Sequence, residues 1–362
     1  MTVVATFRIG GWPILMGDIL LSGPAKPDIS IPAWHLPNQV DFGGKRAAVA
    51  GLCQKVEIIS DQLCVAWAGR AIEAHALIRH LRQYCGGDTI TWEFFQQVIG
   101  NFGIENLRQT QFVAYLWTGA GFGSVDNTGS FALGDLEDIH LFGSGKEPLF
   151  ATLDSISSHI SNNRIRGTPE LRGLLLALTF TGYAMCRQVF DGLGLVEGWG
   201  GGFEIVFFES SGKFMKLDRN LHVFLECVER PDGSVEVVLL KPFIYQFYRG
   251  PDLISLVNAG DTAVSNRLYL VSSFLSSPAA FDLSNLPKEY DAASVVASIR
   301  STKRDGATNF GVQIWAGQYA NSPVRIHNIE GGTRVGVKDQ FVHDVVAIFH
   351  NSPSQVELTI LQ

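Results

Sequence analysis

The sequence has little that would support metal or disulfide chemistry. Its five cysteines (Cys53, Cys64, Cys85, Cys186 and Cys227) are odd in number and widely spaced, with no Cys-x-x-Cys pair and no histidine at zinc-ligand spacing. That excludes a disulfide scaffold and a zinc finger; the expectation is reduced thiols in a cytoplasmic protein with no metal and no cofactor. Charge is also scarce, at 17% of residues, with 28 Lys and Arg against 35 Asp and Glu for a net −7. No basic run exceeds two residues, as at Lys303-Arg304, so a nucleic-acid or anionic-membrane surface is not expected. Long apolar runs are missing too. The longest, Leu174 to Met185, contains Thr179 and Thr181 and falls short of the roughly 20 residues of a membrane span, so it reads as a buried helix. The apolar start after Met1 is cut short by Arg8 and does not read as a secretory leader.

What is present is a globular composition: 362 residues, 46% hydrophobic, with 24 Phe. This is enough chain for one large or two ordinary domains. Thr2–Arg8 and Trp12–Leu21 read as a hairpin across Gly10-Gly11, and Lys55–Ile59 with Leu63–Ala68 as a second. Between them, Gly23 to Gln39 carries Pro24, Pro27, Pro32 and Pro37 and reads as a loop insertion. Ala71, Ala74, Ile78 and Leu81 mark a helix over Arg70–Tyr84, and a second is expected at Thr91–Phe102. Strands follow at Gln111–Trp117, Gly129–Leu133 and Ile139–Phe142, then helices at Pro148–Ile160 and Pro169–Gly192, the latter with Thr168 at N-cap. Further β-pairs are expected at Phe203–Glu209 with Lys213–Leu217, and at Leu221–Glu229 with Val235–Tyr248. Beyond Gly250 the pattern weakens, leaving strands at Gly311–Trp315, Val342–His350 and Val356–Ile360. Alternating strand and helix pairs suggest an α+β fold of two sheets between helix layers.

Thr2 carries the first chemical signal. If Met1 is removed, its α-amine, with an ordinary pKa of about 7.7–8.0, stands beside its own hydroxyl as base beside nucleophile. The plainer reading is a tolerated second residue. Asp18 interrupts the apolar strand Pro13-Ile14-Leu15-Met16 and needs a partner if buried. Lys55 can supply an ammonium that favours an alkoxide and a neutral amine. By spacing alone, a solvated lysine and a turn aspartate are the simpler account.

The ordered set Thr2-Val3-Val4, Gly17-Asp18, Lys55-Val56-Glu57-Ile58, Val65-Ala66-Trp67-Ala68-Gly69 and Gly143-Ser144-Gly145 resembles proteasome β-type subunits. It is also similar to the peptidase subunit of the bacterial two-component protease, in the N-terminal-nucleophile (Ntn) hydrolase superfamily. The resemblance covers Thr2 to His222. It implies a four-layer αββα sandwich over residues 1–225, with 23–39 as an insertion and 226–362 as a β-rich C-terminal extension of unknown role.

By the same resemblance Thr2 is the nucleophile and its amine the base. Lys55 is the activating cation, Asp18 orients it, Gly69 supplies an oxyanion N–H, and Ser144 bonds the amine. Glu197 stands where the family has an Asp, and Gly200 where it has a Ser, so the surroundings of Thr2 depart from the pattern. Leu21, Ser22, Cys53, Trp67, Ala71 and His75 would line the substrate pocket. The implied activity is threonine-type hydrolysis of a peptide or amide substrate by a homo-oligomeric ring, with any unfoldase partner unknown. The alternatives are an inactive structural subunit and a non-peptidase amidase. The Pro-rich segment is expected to form a flap over the cleft.

Overall fold

The computed structural model describes residues 2–23, 40–42, 45–87, 89–160, 167–192, 194, 197–258, 267–272, 289–290, 292–316, 322–329, 332–351 and 360–361. The flap expected from the prolines lies outside them. Val3–Ile9 (β1) and Trp12–Asp18 (β2) form a hairpin with Val4 opposite Gly17. Leu20–Gly23 (β3), Val40–Phe42 (β4) and Lys45–Leu52 (β5) make a small sheet. Val56–Ser60 (β6), Leu63–Gly69 (β7), helices Ala71–Cys85 (α1) and Trp92–Phe102 (α2), then Thr110–Trp117 (β8) and Phe122–Asp126 (β9) follow. The last two strands complete the four-stranded sheet β6-β7-β8-β9. Next come Phe131–Leu133 (β10), Leu136–Gly143 (β11), helices Lys146–Ile160 (α3) and Pro169–Cys186 (α4), Phe203–Glu209 (β12) and Lys213–Lys216 (β13). Their strands join β1 and β2 in a six-stranded sheet of order β10-β11-β1-β2-β12-β13.

Strand alternation decides which face each residue serves. Val3, Ala5, Phe7 and Ile9 share a core with α4, whereas Val4 joins Leu15, Val56, Ala66, Val113 and Phe142 in a core between the two sheets. On the far face of the four-stranded sheet, Val65, Trp67 and Phe112 pack with Leu77, Ile78 and Leu81 of α1 and Phe95 of α2. The α+β class is therefore as the sequence pattern indicates.

After Leu217 the chain passes into a second body of β-structure. It contains Asn220–Glu229 (β14), Val235–Arg249 (β15), Asp252–Asn258 (β16), Arg267–Val271 (β17), Glu289–Tyr290 (β18), Ser294–Thr302 (β19) and Thr308–Ala316 (β20). Val324–Ile329 (β21), Gly332–Val337 (β22), helix Asp339–Asn351 (α5) and Ile360–Leu361 (β23) end it. The seven-stranded sheet runs β17-β16-β15-β14-β19-β20-β23, and β14 pairs β19 in parallel. Residue 225 lies inside β14.

Helix α4 explains its own apolar run. One side meets β2, where Gly173 abuts Ile14, and the opposite side meets the seven-stranded sheet, where Gly182 abuts Val312 and Val296. A helix clasped between two sheets has no polar face to offer water. Thr179 and Thr181 satisfy their hydroxyls on the helix carbonyls of Leu175 and Leu178, at 2.8 and 3.0 Å. A π-helical turn, Arg187–Asp191, extends its end.

Three expectations need correction. The strand expected at Val342–His350 is helix α5: β-branched residues suggested extended chain, but Phe341 and Val345, four apart, are the buried pair, which is helical spacing. Gly129–Leu133 is a strand only from Phe131, while the unanticipated β9 precedes it. The apparently weak region beyond Gly250 contains β16, β17, β19, β21 and β22, whose short runs depend on sheet partners rather than local pattern. Most of Val356–Ile360 lies outside the described residues. Among these residues no helix is long and apolar enough to cross a membrane.

A Cβ added to Gly182 would stand 2.6 Å from Val312 Cγ1 and 2.9 Å from Val296 Cγ1. Gly182→Ala should therefore destabilise by about 1–2 kcal/mol, the overpacking cost outweighing the helix-propensity gain of about 1 kcal/mol. Gly100 of α2 meets nothing within 4 Å, so Gly100→Ala should stabilise by about 0.5–1 kcal/mol. Urea denaturation of both variants reads the sign.

His222 on β14 is fully buried, and Asn220 Nδ2 donates to its Nε2 at 2.8 Å, leaving the ring proton on Nδ1. Burial lowers its pKa from 6.5 to about 4. A histidine depressed in the fold binds more protons when unfolded, so its contribution is complete above pH 6.5 and is lost as pH falls toward 4. Between pH 7 and 4.5, His222→Gln should lose about 2–3 kcal/mol less stability than the parent, measured by urea titration at each pH.

Candidate active site

Asp18 ends β2 with no exposure, and its carboxylate accepts from three donors. Lys55 Nζ reaches Oδ1 at 2.6 Å, the Val3 backbone N–H reaches the same oxygen at 2.9 Å, and the Gly200 N–H reaches Oδ2 at 3.0 Å. Lys55 is also fully buried and donates a second bond to the Leu20 carbonyl at 2.5 Å. The reading of a solvated lysine and a turn aspartate is thereby replaced by a dry ion pair. Gly17 packs directly on the lysine stem: a Cβ there would lie 3.3 Å from Lys55 Cβ.

Thr2 is 6% exposed. Its N–H donates to Ser144 Oγ at 2.9 Å, and that hydroxyl lies 3.0 Å from the Gly198 carbonyl and 3.3 Å from the Thr2 carbonyl. One hydroxyl proton serves two acceptors, so the shorter contact to Gly198 is favoured. Gly143 immediately precedes Ser144 with φ +97°, and a Cβ on it would stand 2.3 Å from the Thr2 carbonyl oxygen. Only glycine allows this approach.

Gly69 closes β7 with φ +108°, where a Cβ would collide with the Gln109 carbonyl at 2.1 Å. The strand-to-helix corner before α1 therefore requires glycine for geometry alone. Gly69 pairs with Thr110, and the next residue, Gln111, accepts the Gly143 N–H at 3.2 Å through its side chain. That bond ties the Gly69 corner to the strand end opposite Val3. Gly69 and Ser144 are exposed while Lys55 and Asp18 are buried.

Other predicted residues divide into groups. The Glu197 carboxylate accepts from the Arg187 guanidinium and from Trp199 Nε1 at 3.1 Å; burial pushes its pKa up and Arg187 opposes that. The backbone of this segment, at Gly198 and Gly200, makes the contacts with Ser144 and Asp18. Glu197 thus holds the segment whose backbone reaches Ser144 and Asp18. Leu21, Cys53, Trp67 and Ala71 do come together in one apolar cluster, with Trp67 wholly buried. His75 lies half-buried on α1, with Nε2 3.3 Å from Arg79. The Ser22 side chain lies outside the described residues.

Glu204 escaped the sequence reading. It pairs with Gly17 across β12 and β2, and Oε1 accepts the backbone N–H groups of both Lys55 and Val56, the latter at 2.8 Å. Its signal was the same as that of Asp18, a carboxylate within an apolar strand. Burial raises its pKa, and Lys216, 3.4 Å from Oε2, works against that rise. Among the described residues no group of three His, Cys, Asp or Glu side chains could hold a metal ion. No protein-family model matches the chain, and no curated protein is similar to it.

Asp18→Ala would leave the Lys55 ammonium buried without its counter-charge. The expected loss is about 3–5 kcal/mol in equilibrium urea denaturation, and adding Lys55→Met should restore part of it. A double variant no more stable than Asp18→Ala would show that the pair is not electrostatically coupled.

Proposed function

We propose that the protein is a threonine-type Ntn hydrolase that cleaves peptide or amide bonds through an acyl-enzyme on Thr2. The observation that carries this reading is the dry Lys55–Asp18 pair anchored to the Val3 N–H, one residue from Thr2. Desolvating two charges costs several kcal/mol per ion, so such a pair is a poor device for stability alone and a good one for setting a local field. The facing sheets with helices on their outer sides fit the four-layer αββα sandwich of that superfamily, with residues 226–362 as its extension.

In this mechanism Met1 is removed, and the freed amine takes the proton of the Thr2 hydroxyl as Oγ attacks the carbonyl carbon. Ser144 accepts a hydrogen bond from the amine and turns its lone pair toward the hydroxyl. An ammonium has three donors, of which Asp18 and Leu20 take two on Lys55; the third is left for Thr2 Oγ and favours its alkoxide. The Gly69 N–H stabilises the tetrahedral oxyanion. The amine proton then passes to the leaving amine, and water releases the acyl group by the reverse sequence. The leucine, cysteine and tryptophan cluster around Leu21 supplies an apolar floor for the substrate side chain. Homo-oligomerisation and a cytoplasmic setting belong to the same proposal.

Intact mass should lack Met1, and Thr2→Ala should abolish turnover of a fluorogenic peptide panel while Thr2→Ser retains a measurable share. Lys55→Met should lower kcat by at least about 100-fold, since the loss of one stabilising donor costs about that much. Full activity in Thr2→Ala overturns the assignment. An inactive wild type with an unprocessed N-terminus would favour the inert structural subunit instead.

A further inference from the structure

Gln54 directly precedes Lys55 and is fully buried. Its Nε2 donates to two backbone carbonyls of the C-terminal region, Pro251 just before β16 at 2.9 Å and Val271 at the end of β17 at 2.8 Å. Its Oε1 accepts from Lys216 Nζ. Both amide hydrogens and the carbonyl oxygen are thus engaged, and the side chain has no freedom left. Lys216 in turn lies 5.0 Å from the centre of the Tyr248 ring on β15 and 3.4 Å from Glu204 Oε2, while Glu204 Oε1 holds the N–H groups of Lys55 and Val56. A closed circuit results: seven-stranded sheet, Gln54, Lys216, Glu204, and back to the peptide unit next to Gln54.

We infer that the seven-stranded sheet positions the Lys55 ammonium, and that Gln54 is the positioning residue through which it acts. The inference rests on the reading of Lys55 as the activating cation. Lysine carries its charge on a flexible four-carbon stem, so a defined Nζ requires a fixed backbone at one end and fixed acceptors at the other. Asp18 and Leu20 provide the acceptors. The backbone end is bracketed by Cys53 N–H to the Ile19 carbonyl at 2.8 Å and by the Lys55 carbonyl to Trp67 N–H at 3.0 Å, but these bonds belong to the N-terminal body alone. Gln54 adds the contact with the turn before β16 and with β17. The C-terminal region then has a role at the site without contributing an atom to the chemistry.

The test uses full-length protein with 15N-labelled lysine. A buried ammonium held by two acceptors should give a slowly exchanging Nζ signal, identified by its loss in Lys55→Met. Gln54→Met should remove or broaden that signal and lower kcat about 10- to 100-fold with KM within about two-fold, as expected for displacement of a positioned group. Val312→Ala, which trims the contact of the same sheet with α4, serves as a comparator: it should lower stability and leave both the signal and kcat unchanged. Where Gln54→Met does not fold, Gln54→Asn keeps the amide but shortens its reach, and the same direction of change is expected.

An absent wild-type signal overturns the inference. So does an unaltered signal and kcat in the Gln54 variants, or an equal loss in Val312→Ala. A wild type without peptide turnover removes the hydrolase reading, and the ammonium signal then still decides whether Gln54 positions Lys55.

Discussion

The Asp18–Lys55 ion pair is the constraint around which the N-terminal body is arranged. Two unit charges cannot be removed from water unless each keeps its hydrogen bonds, and here the acceptors and donors come from different elements. Asp18 takes N–H groups from β1 and from the loop before β12, and Lys55 takes the carbonyl before β3's second residue. Displacing any of these elements strands a charge in a dry interior. The pair therefore couples the hairpin, the Gly198–Gly202 loop and the start of β6 into one cooperative unit.

Two further opposite-charge pairs flank it. Glu204 faces Lys216, and Glu57 accepts from Arg82 at 2.9 Å. Burial raises the pKa of both carboxyls, with Lys216 opposing the rise in each. Three acids are thus matched by three bases around β6, the Glu57–Arg82 pair lying on the α1 side of its sheet. The outer partners, Lys216 and Arg82, are less buried than the carboxylates they face, so the solvent-side ions of these two pairs are the cations.

How much of this was readable in the sequence depended on whether the signal was local. Asp18 was visible because a carboxylate breaks an apolar strand, α1 because three- and four-residue spacing persists for several turns, and α4 because a long apolar run follows Thr168 at N-cap and Pro169. Lys55 became assignable only through the resemblance, since nothing local distinguishes it from a solvated strand-end lysine. Glu204 carries the same mark as Asp18 but acts on backbone N–H groups, which leave no trace in sequence. Helix α5 was misread because its β-branched residues outweighed a two-residue buried stripe. Strand β19 was missed because it pairs with β14 in parallel across 74 positions, from Asn220 to Ser294, and such a pairing has no turn to announce it.

The segment from Glu197 to Gly201 serves Asp18 through its backbone rather than through a side chain. A serine at position 200 would bring a hydroxyl; glycine brings its N–H to Asp18 Oδ2 at 3.0 Å, and a Cβ there would press to 2.8 Å against Gln188 Oε1. Gln188 accepts the following N–H, from Gly201, at 3.1 Å, and so fixes the same loop from behind. At its other end, Arg187 and Trp199 hold the Glu197 side chain. The π-helical turn after α4 supplies both Arg187 and Gln188 to this loop. With those two anchors in place, a hydroxyl at position 200 is not needed to satisfy the Asp18 carboxylate, which already has a donor on each oxygen and a cation at 2.6 Å.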